Sequence, residues 1–81
     1  MPNIHIESEI TGTVWKVEAE VGQTVSQDDL ILIVESMKME IPVTAPASGK
    51  IVEIKVAEGD MVSDRQVLVV LESGIERKES S

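Results

Sequence analysis

The chain of 81 residues has no cysteine, phenylalanine or tyrosine, and Trp15 is its only aromatic residue. Without cysteine there is no disulfide framework and no thiol chemistry, which suits a reducing compartment. No apolar run is long enough to cross a bilayer, and no basic start leads into an apolar stretch of the secretory type. The expected location is therefore the cytoplasm, with no membrane partner. Basic residues are scarce as well: seven against fifteen acids leave a formal net charge of −8. A surface of that sign repels nucleic-acid phosphates and anionic lipid, so no nucleic-acid partner is expected either. The same charge keeps copies apart, consistent with a monomer, or steers the chain toward basic docking sites on partner enzymes.

What the chain does contain is β-branched. Nine Ile, twelve Val and four Leu supply most of the apolar bulk. Val and Ile favour strands, where a branched Cβ packs well on a pleated surface. A chain of this length forms one domain, burying only about 60% of its unfolded surface. Residues 1–73 are the expected domain, and the polar stretch "SGIERKESS" points to a C-terminal tail over 74–81.

Shifting the chain by 37 residues lays residues 4–36 on 41–73 without a gap. Identities fall at Ile4/Ile41, Gly12/Gly49, Gly22/Gly59, Val25/Val62, Ser26/Ser63, Glu35/Glu72 and Ser36/Ser73. The block Leu30–Val34 also matches Val67–Leu71, apolar for apolar. Each half reads as strand, turn, strand. "GTVWKVEAEVGQTV" and "GKIVEIKVAEGDMV" each turn at a second glycine, where a positive φ is permitted. The links "SQDD" and "SDRQ" then lead into "LILIV" and "VLVVL", continuous apolar runs of the kind buried in a sandwich. No stretch carries a helical period. The expected fold is all-β: a flattened barrel or sandwich of two pseudo-twofold-related four-stranded halves.

Met37-Lys38-Met39-Glu40 is the one internal segment outside the repeat, and strand sequence flanks it on both sides. It is expected to form a hairpin joining the halves, with Lys38 at its tip and the chain termini at the opposite end of the domain. A lone lysine on a turn is ordinarily just a surface residue. The flanking methionines are the anomaly, because hairpin tips favour Gly, Asn, Asp or Ser. Strand alternation would send Met37 and Met39 to one side, opposite Lys38. Core packing and partner recognition are then equally open to them. His5, the only histidine, falls in the first expected strand, where a surface or edge position accounts for it. The acids are scattered through turns, which argues against a metal site, and no nucleophile–base pair suggests catalysis.

The segment Glu35-Ser36-Met37-Lys38-Met39-Glu40 resembles the Glu-Ala-Met-Lys-Met signature of biotinyl domains, the biotin carboxyl carriers of biotin-dependent carboxylases. "APASG" (Ala45 to Gly49), "EGDMV" and "VLVVLE" are similar to later parts of that family's pattern, so the likeness covers nearly the whole chain. It implies the barrel-sandwich hybrid fold, with biotin in amide linkage on Lys38 and with Glu35, Ser36, Met37, Met39 and Glu40 as the motif that a biotin protein ligase recognises. An ordinary lysine amine, with a pKa of about 10.4, is mostly protonated at neutral pH. Activation would therefore come from the ligase through biotinyl-adenylate. In the family, a biotin carboxylase places CO2 on the tethered ring and a carboxyltransferase moves it to an acceptor, acetyl-CoA being the default for a small separate carrier. Tethering holds the cargo at an effective concentration of order mM near both sites. The carrier itself would catalyse nothing. Two departures stand out: Ser36 replaces the usual alanine, and "SEITG" (Ser8 to Gly12) lacks the proline frequent at the first corner. Lipoyl carriers share the fold but usually carry Asp-Lys-Ala at the tip. An unmodified structural adaptor of the same fold is the remaining alternative.

Overall fold

The computed structural model describes residues 3–73, so the expected tail over 74–81 lies outside the described residues. Eight strands follow in order: β1 Asn3–Glu7, β2 Gly12–Val17, β3 Thr24–Val25, β4 Leu30–Ser36, β5 Met39–Thr44, β6 Gly49–Ile54, β7 Met61–Val62 and β8 Val67–Ser73. Among the described residues there is no helix. The strands form two antiparallel four-stranded sheets, ordered β1-β8-β6-β3 and β5-β4-β2-β7. Exchanging each strand for its 37-residue counterpart turns one order into the other. The sequence halves are thus interleaved, each giving two strands to each sheet.

The twofold relation extends below the level of strands. Gly22 and Gly59 have φ of 94° and 95°, and two non-glycine counterparts, Asp28 and Arg65, have φ of 76° and 71°. The backbone bond from Gly22 N–H to the Ile51 carbonyl (2.7 Å) is mirrored by Gly59 N–H to the Val14 carbonyl (2.8 Å). Register shifts are paired too: the β2–β4 ladder passes over Trp15 and the β6–β8 ladder over Val52. Such bulges add local twist and close a flat sheet toward a barrel.

The core consists of the same paired positions: Val14 with Ile51, Val25 with Val62, Ile31 with Leu68, Leu32 with Val69 and Val34 with Leu71, all buried. Aliphatic side chains supply it, as the composition requires, and Trp15 stays outside at 47% exposure. The apolar runs of β4 and β8 are not buried throughout. Ile33 is half-buried on the outer side of its sheet, and Leu30 is exposed. Pro42, which cannot donate to a ladder, is accommodated because β5 is an edge strand.

Gly12 and Gly49 lie where two backbones come closest. A Cβ on Gly12 would collide with the Glu35 carbonyl oxygen and lie 2.9 Å from a Val34 methyl carbon. On Gly49 it would collide with the Glu72 carbonyl oxygen. Main chain cannot retreat as a flexible side chain does. The first-half corner also differs from the second. Buried Ser8 donates its hydroxyl to the Ile10 carbonyl at 2.6 Å, where the second half has buried Ala45 followed by Pro46. The backbone bonds at both corners are nonetheless equivalent, with Arg65 N–H on the Ser8 carbonyl and Asp28 N–H on the Ala45 carbonyl, each at 2.7 Å.

Gly12→Ala and Gly49→Ala are each expected to lower stability by about 3 kcal/mol, the upper range for forced overpacking. The shift in urea midpoint at constant m-value measures this. A loss below about 1 kcal/mol at both positions would show that the neighbouring strands part without difficulty there.

Candidate functional site

Strands β4 and β5 form a hairpin closed by the pair Ser36 and Met39, which leaves Met37 and Lys38 as a two-residue turn. Both have positive φ, 52° for Met37 and 67° for Lys38, the sign pattern of a type I′ turn. Its twist matches that of the flanking strands, so a short loop closes without splaying them. The usual occupants are Asn and Gly. A residue with a full side chain in the left-handed region costs roughly 1 kcal/mol, here twice in succession.

The turn decides where the methionines go. Alternation governs strands, and Met37 and Lys38 are not in one. Met37 is 90% exposed and Met39 60%, which overturns the core-packing alternative. Lys38 is exposed between them, and among the described residues no side chain hydrogen-bonds or ion-pairs with it. One pair below the closing pair, Glu35 and Glu40 stand directly opposite each other, both exposed. Like charges at such a position destabilise a ladder, by up to about 1 kcal/mol.

The hairpin is fixed at its base. Ser36 donates its hydroxyl to the Thr11 carbonyl at 3.0 Å, and the Asp64 N–H donates to the Thr11 hydroxyl at 3.2 Å. Thr11 thereby joins the hairpin to the first corner and to the link before β8. An alanine at position 36 has no such bond, so the motif's departure adds a tether that the resemblance did not suggest. The six-residue link between β2 and β3, from 18 to 23, carries no protruding insertion.

The strand directions put Lys38 far from the start of β1 and the end of β8. Gly12 and Thr13 pair with Val62 and Met61 near the hairpin, β8 then runs away from it, and Asn3 pairs with Glu72 at the far end. His5 lies exposed on the edge strand β1, in an open groove between β1 and β5 that does not include Lys38. All six motif residues, 35 to 40, are therefore brought together on one projecting element. What sequence reasoning missed was Trp15, which points outward after buried Val14, with the bulge turning Lys16 outward beside it.

A primary amine held out on a stiff tip, with no internal partner and no wall around it, is suited to accept an acyl group from another protein. The arrangement fits a covalently attached biotin, which needs an accessible amine and no cavity. Met37→Asn is expected to raise stability by about 1 kcal/mol by relieving the left-handed strain. Chemical denaturation measures this, and a loss of stability would mean that Met37 holds the turn in place.

The profile of the family described as "Biotin-requiring enzyme" matches residues 2–71. The chain is 39% identical over 66 residues to the Biotin/lipoyl attachment protein of Bacillus subtilis, covering 82% of this chain and 90% of that one. It is 41% identical over 68 residues to pyruvate carboxylase of the same species, covering 84% of this chain but only 6% of the carboxylase. Among solved structures, the Kluyveromyces lactis urea carboxylase superposes with a TM-score of 0.84 at 38% identity. That overlap spans 89% of this chain and 6% of the carboxylase. The match to the family profile over nearly all of the described residues, on a fold shared with a segment of a carboxylase, places this chain in the biotin/lipoyl attachment family, as a biotin-requiring attachment domain.

Proposed function

We propose that Lys38 is the residue that bears biotin, and that the chain is the non-catalytic carboxyl carrier of a biotin-dependent carboxylase. One observation carries the reading: in an attachment domain, the one unrepeated internal segment raises on a two-residue turn an amine without a partner among the described residues, at the end of the domain opposite Asn3 and Glu72. Bound in amide linkage, biotin supplies a carrier for CO2 between a biotin carboxylase and a carboxyltransferase. The chain's own part is to hold that group at a fixed, exposed point.

Loading requires a biotin protein ligase. The Lys38 Nζ–acyl bond forms as the bond from the acyl carbon to AMP breaks, and the ammonium gives up two protons in all, one before attack and one after. Glu35, Ser36, Met37, Met39 and Glu40 are the surface that the ligase meets around the amine. The similar proteins include a pyruvate carboxylase, a urea carboxylase and a biotin/lipoyl attachment protein. We propose acetyl-CoA as the first acceptor to test, with pyruvate and urea as competitors. We propose that it works in the cytoplasm as a monomer, a state that the net charge of −8 favours.

Incubation with a biotin protein ligase, biotin and ATP is expected to add one biotinyl group, read by intact mass and by streptavidin capture. Lys38→Arg is expected to abolish the gain while leaving the thermal unfolding curve unchanged. A mass gain with lipoate and its ligase, and none with biotin, would replace this reading with a lipoyl carrier. No gain with either would favour an adaptor.

A further inference from the structure

The repeat supplies an internal standard for the surface. Each outward position on the sheet β5-β4-β2-β7 has a counterpart on the other sheet, and the requirements of strand and bulge are the same for both. Glu40, Glu35, Thr13 and Met61 form one register row across the first sheet. The matching row on the second is Asn3, Glu72, Lys50 and Thr24. Trp15 projects from the bulge beside the first row, and its counterpart is Val52. Met61 is 80% exposed and Trp15 47%. Threonine and valine fill the same places on the other sheet, so the fold does not require a thioether or an indole there.

These two side chains lie on the face that leads to the hairpin. Three strand spacings separate Glu40 from Met61, about 14 Å, and Glu35 and Glu40 occupy the near end of the same row. The face is thus acidic at its hairpin end, where Glu35 opposes Glu40, and apolar toward Met61 and Trp15, with Lys16 Nζ 6.0 Å from the Trp15 ring. It complements a partner with a pocketed apolar patch flanked by basic groups.

We propose that the outer face of the sheet β5-β4-β2-β7 is the docking surface for the ligase that acylates Lys38, with Trp15 and Met61 as its apolar anchors. The proposal rests on the reading of Lys38 as the biotin-bearing residue. Reach selects the ligase over the carboxylase. Before loading, Nζ extends only about 6 Å from the backbone, five bonds of ~1.5 Å, so the acylating site has to close over the hairpin and the face beside it. After loading, the reactive ring stands more than twice as far out, and an enzyme acting there need not touch the sheet. Basic groups on the ligase would also relieve the opposition of Glu35 and Glu40.

The test compares two double variants of the full chain that are related by the repeat: Met61→Gln with Trp15→Thr, and Thr24→Gln with Val52→Thr. Steady-state biotinylation by a biotin protein ligase is measured over a range of unmodified carrier, with direct titration of ligase against each variant and thermal melts as a folding check. The first variant is expected to raise KM about tenfold with kcat little changed, and to weaken binding in parallel. The second is expected to stay within about twofold of the parent chain, because it lies outside the docking face. Met61→Gln alone, at a site 80% exposed, provides the same comparison if loss of Trp15 impairs folding. Equal KM values for both double variants would overturn the proposal while leaving Lys38 as the biotin site. A defect confined to carboxylation of the loaded carrier would overturn it in favour of the carboxylase, and a change in oligomeric state on substitution would assign the face to a second copy. If the parent chain takes no biotin at all, the carrier reading fails and the docking proposal with it.

Discussion

The contact on which the rest of the molecule depends is backbone against backbone: Gly12 against the Glu35 carbonyl, and Gly49 against that of Glu72. It fixes how closely β2 approaches β4 within one sheet and β6 approaches β8 within the other, on strands whose inner faces carry the aliphatic core. A core of Val, Ile and Leu is thin. The same contact anchors β4 one residue before the hairpin begins, since Glu35 is followed by Ser36 and the turn. The position of Lys38 thus follows from packing at a glycine 26 residues earlier in the chain.

Twofold repetition explains most of the structure, and its exceptions mark the site. Corners, links, bulges and core positions all recur after 37 residues, down to the left-handed residues Asp28 and Arg65. Repetition economises on design, because one solution for a strand–turn–strand unit serves twice. It also means that any feature present once was not required by the architecture. The Met-Lys turn and the indole of Trp15 belong to that class. A type I′ turn of Met-Lys is a poor choice for folding and a good one for presenting an amine.

How much was legible in the sequence follows from the same distinction. The 37-residue register pointed to the eight strands, the hairpin and a tip opposite the outer ends of β1 and β8, because glycines and apolar blocks at equal spacing constrain topology strongly. The two alternatives for the methionines were left unresolved, since period-2 alternation assumes that the strand continues. Two positive φ values at 37 and 38 ended it one residue earlier than the pattern implied. The bulge at Trp15 was equally invisible. A single extra residue in a ladder changes which side a side chain faces without altering composition, and only the partner strand reveals it. Ser36 read as a neutral replacement of alanine because its partner, the Thr11 carbonyl, is 25 residues away.

Stiffness at the tip and freedom beyond it have a common physical basis. A two-residue turn held by the Ser36 and Thr11 bonds has few conformations available, so an attached group would lose little backbone entropy when a partner engages it. A long loop at the same place would have to be ordered at every encounter, at about 1–2 kcal/mol per residue. The left-handed strain of Met37 and Lys38 is instead offset once, during folding, by the sheet on either side. A carrier that visits several enzymes gains from this arrangement, because the ordering is already complete before any partner arrives.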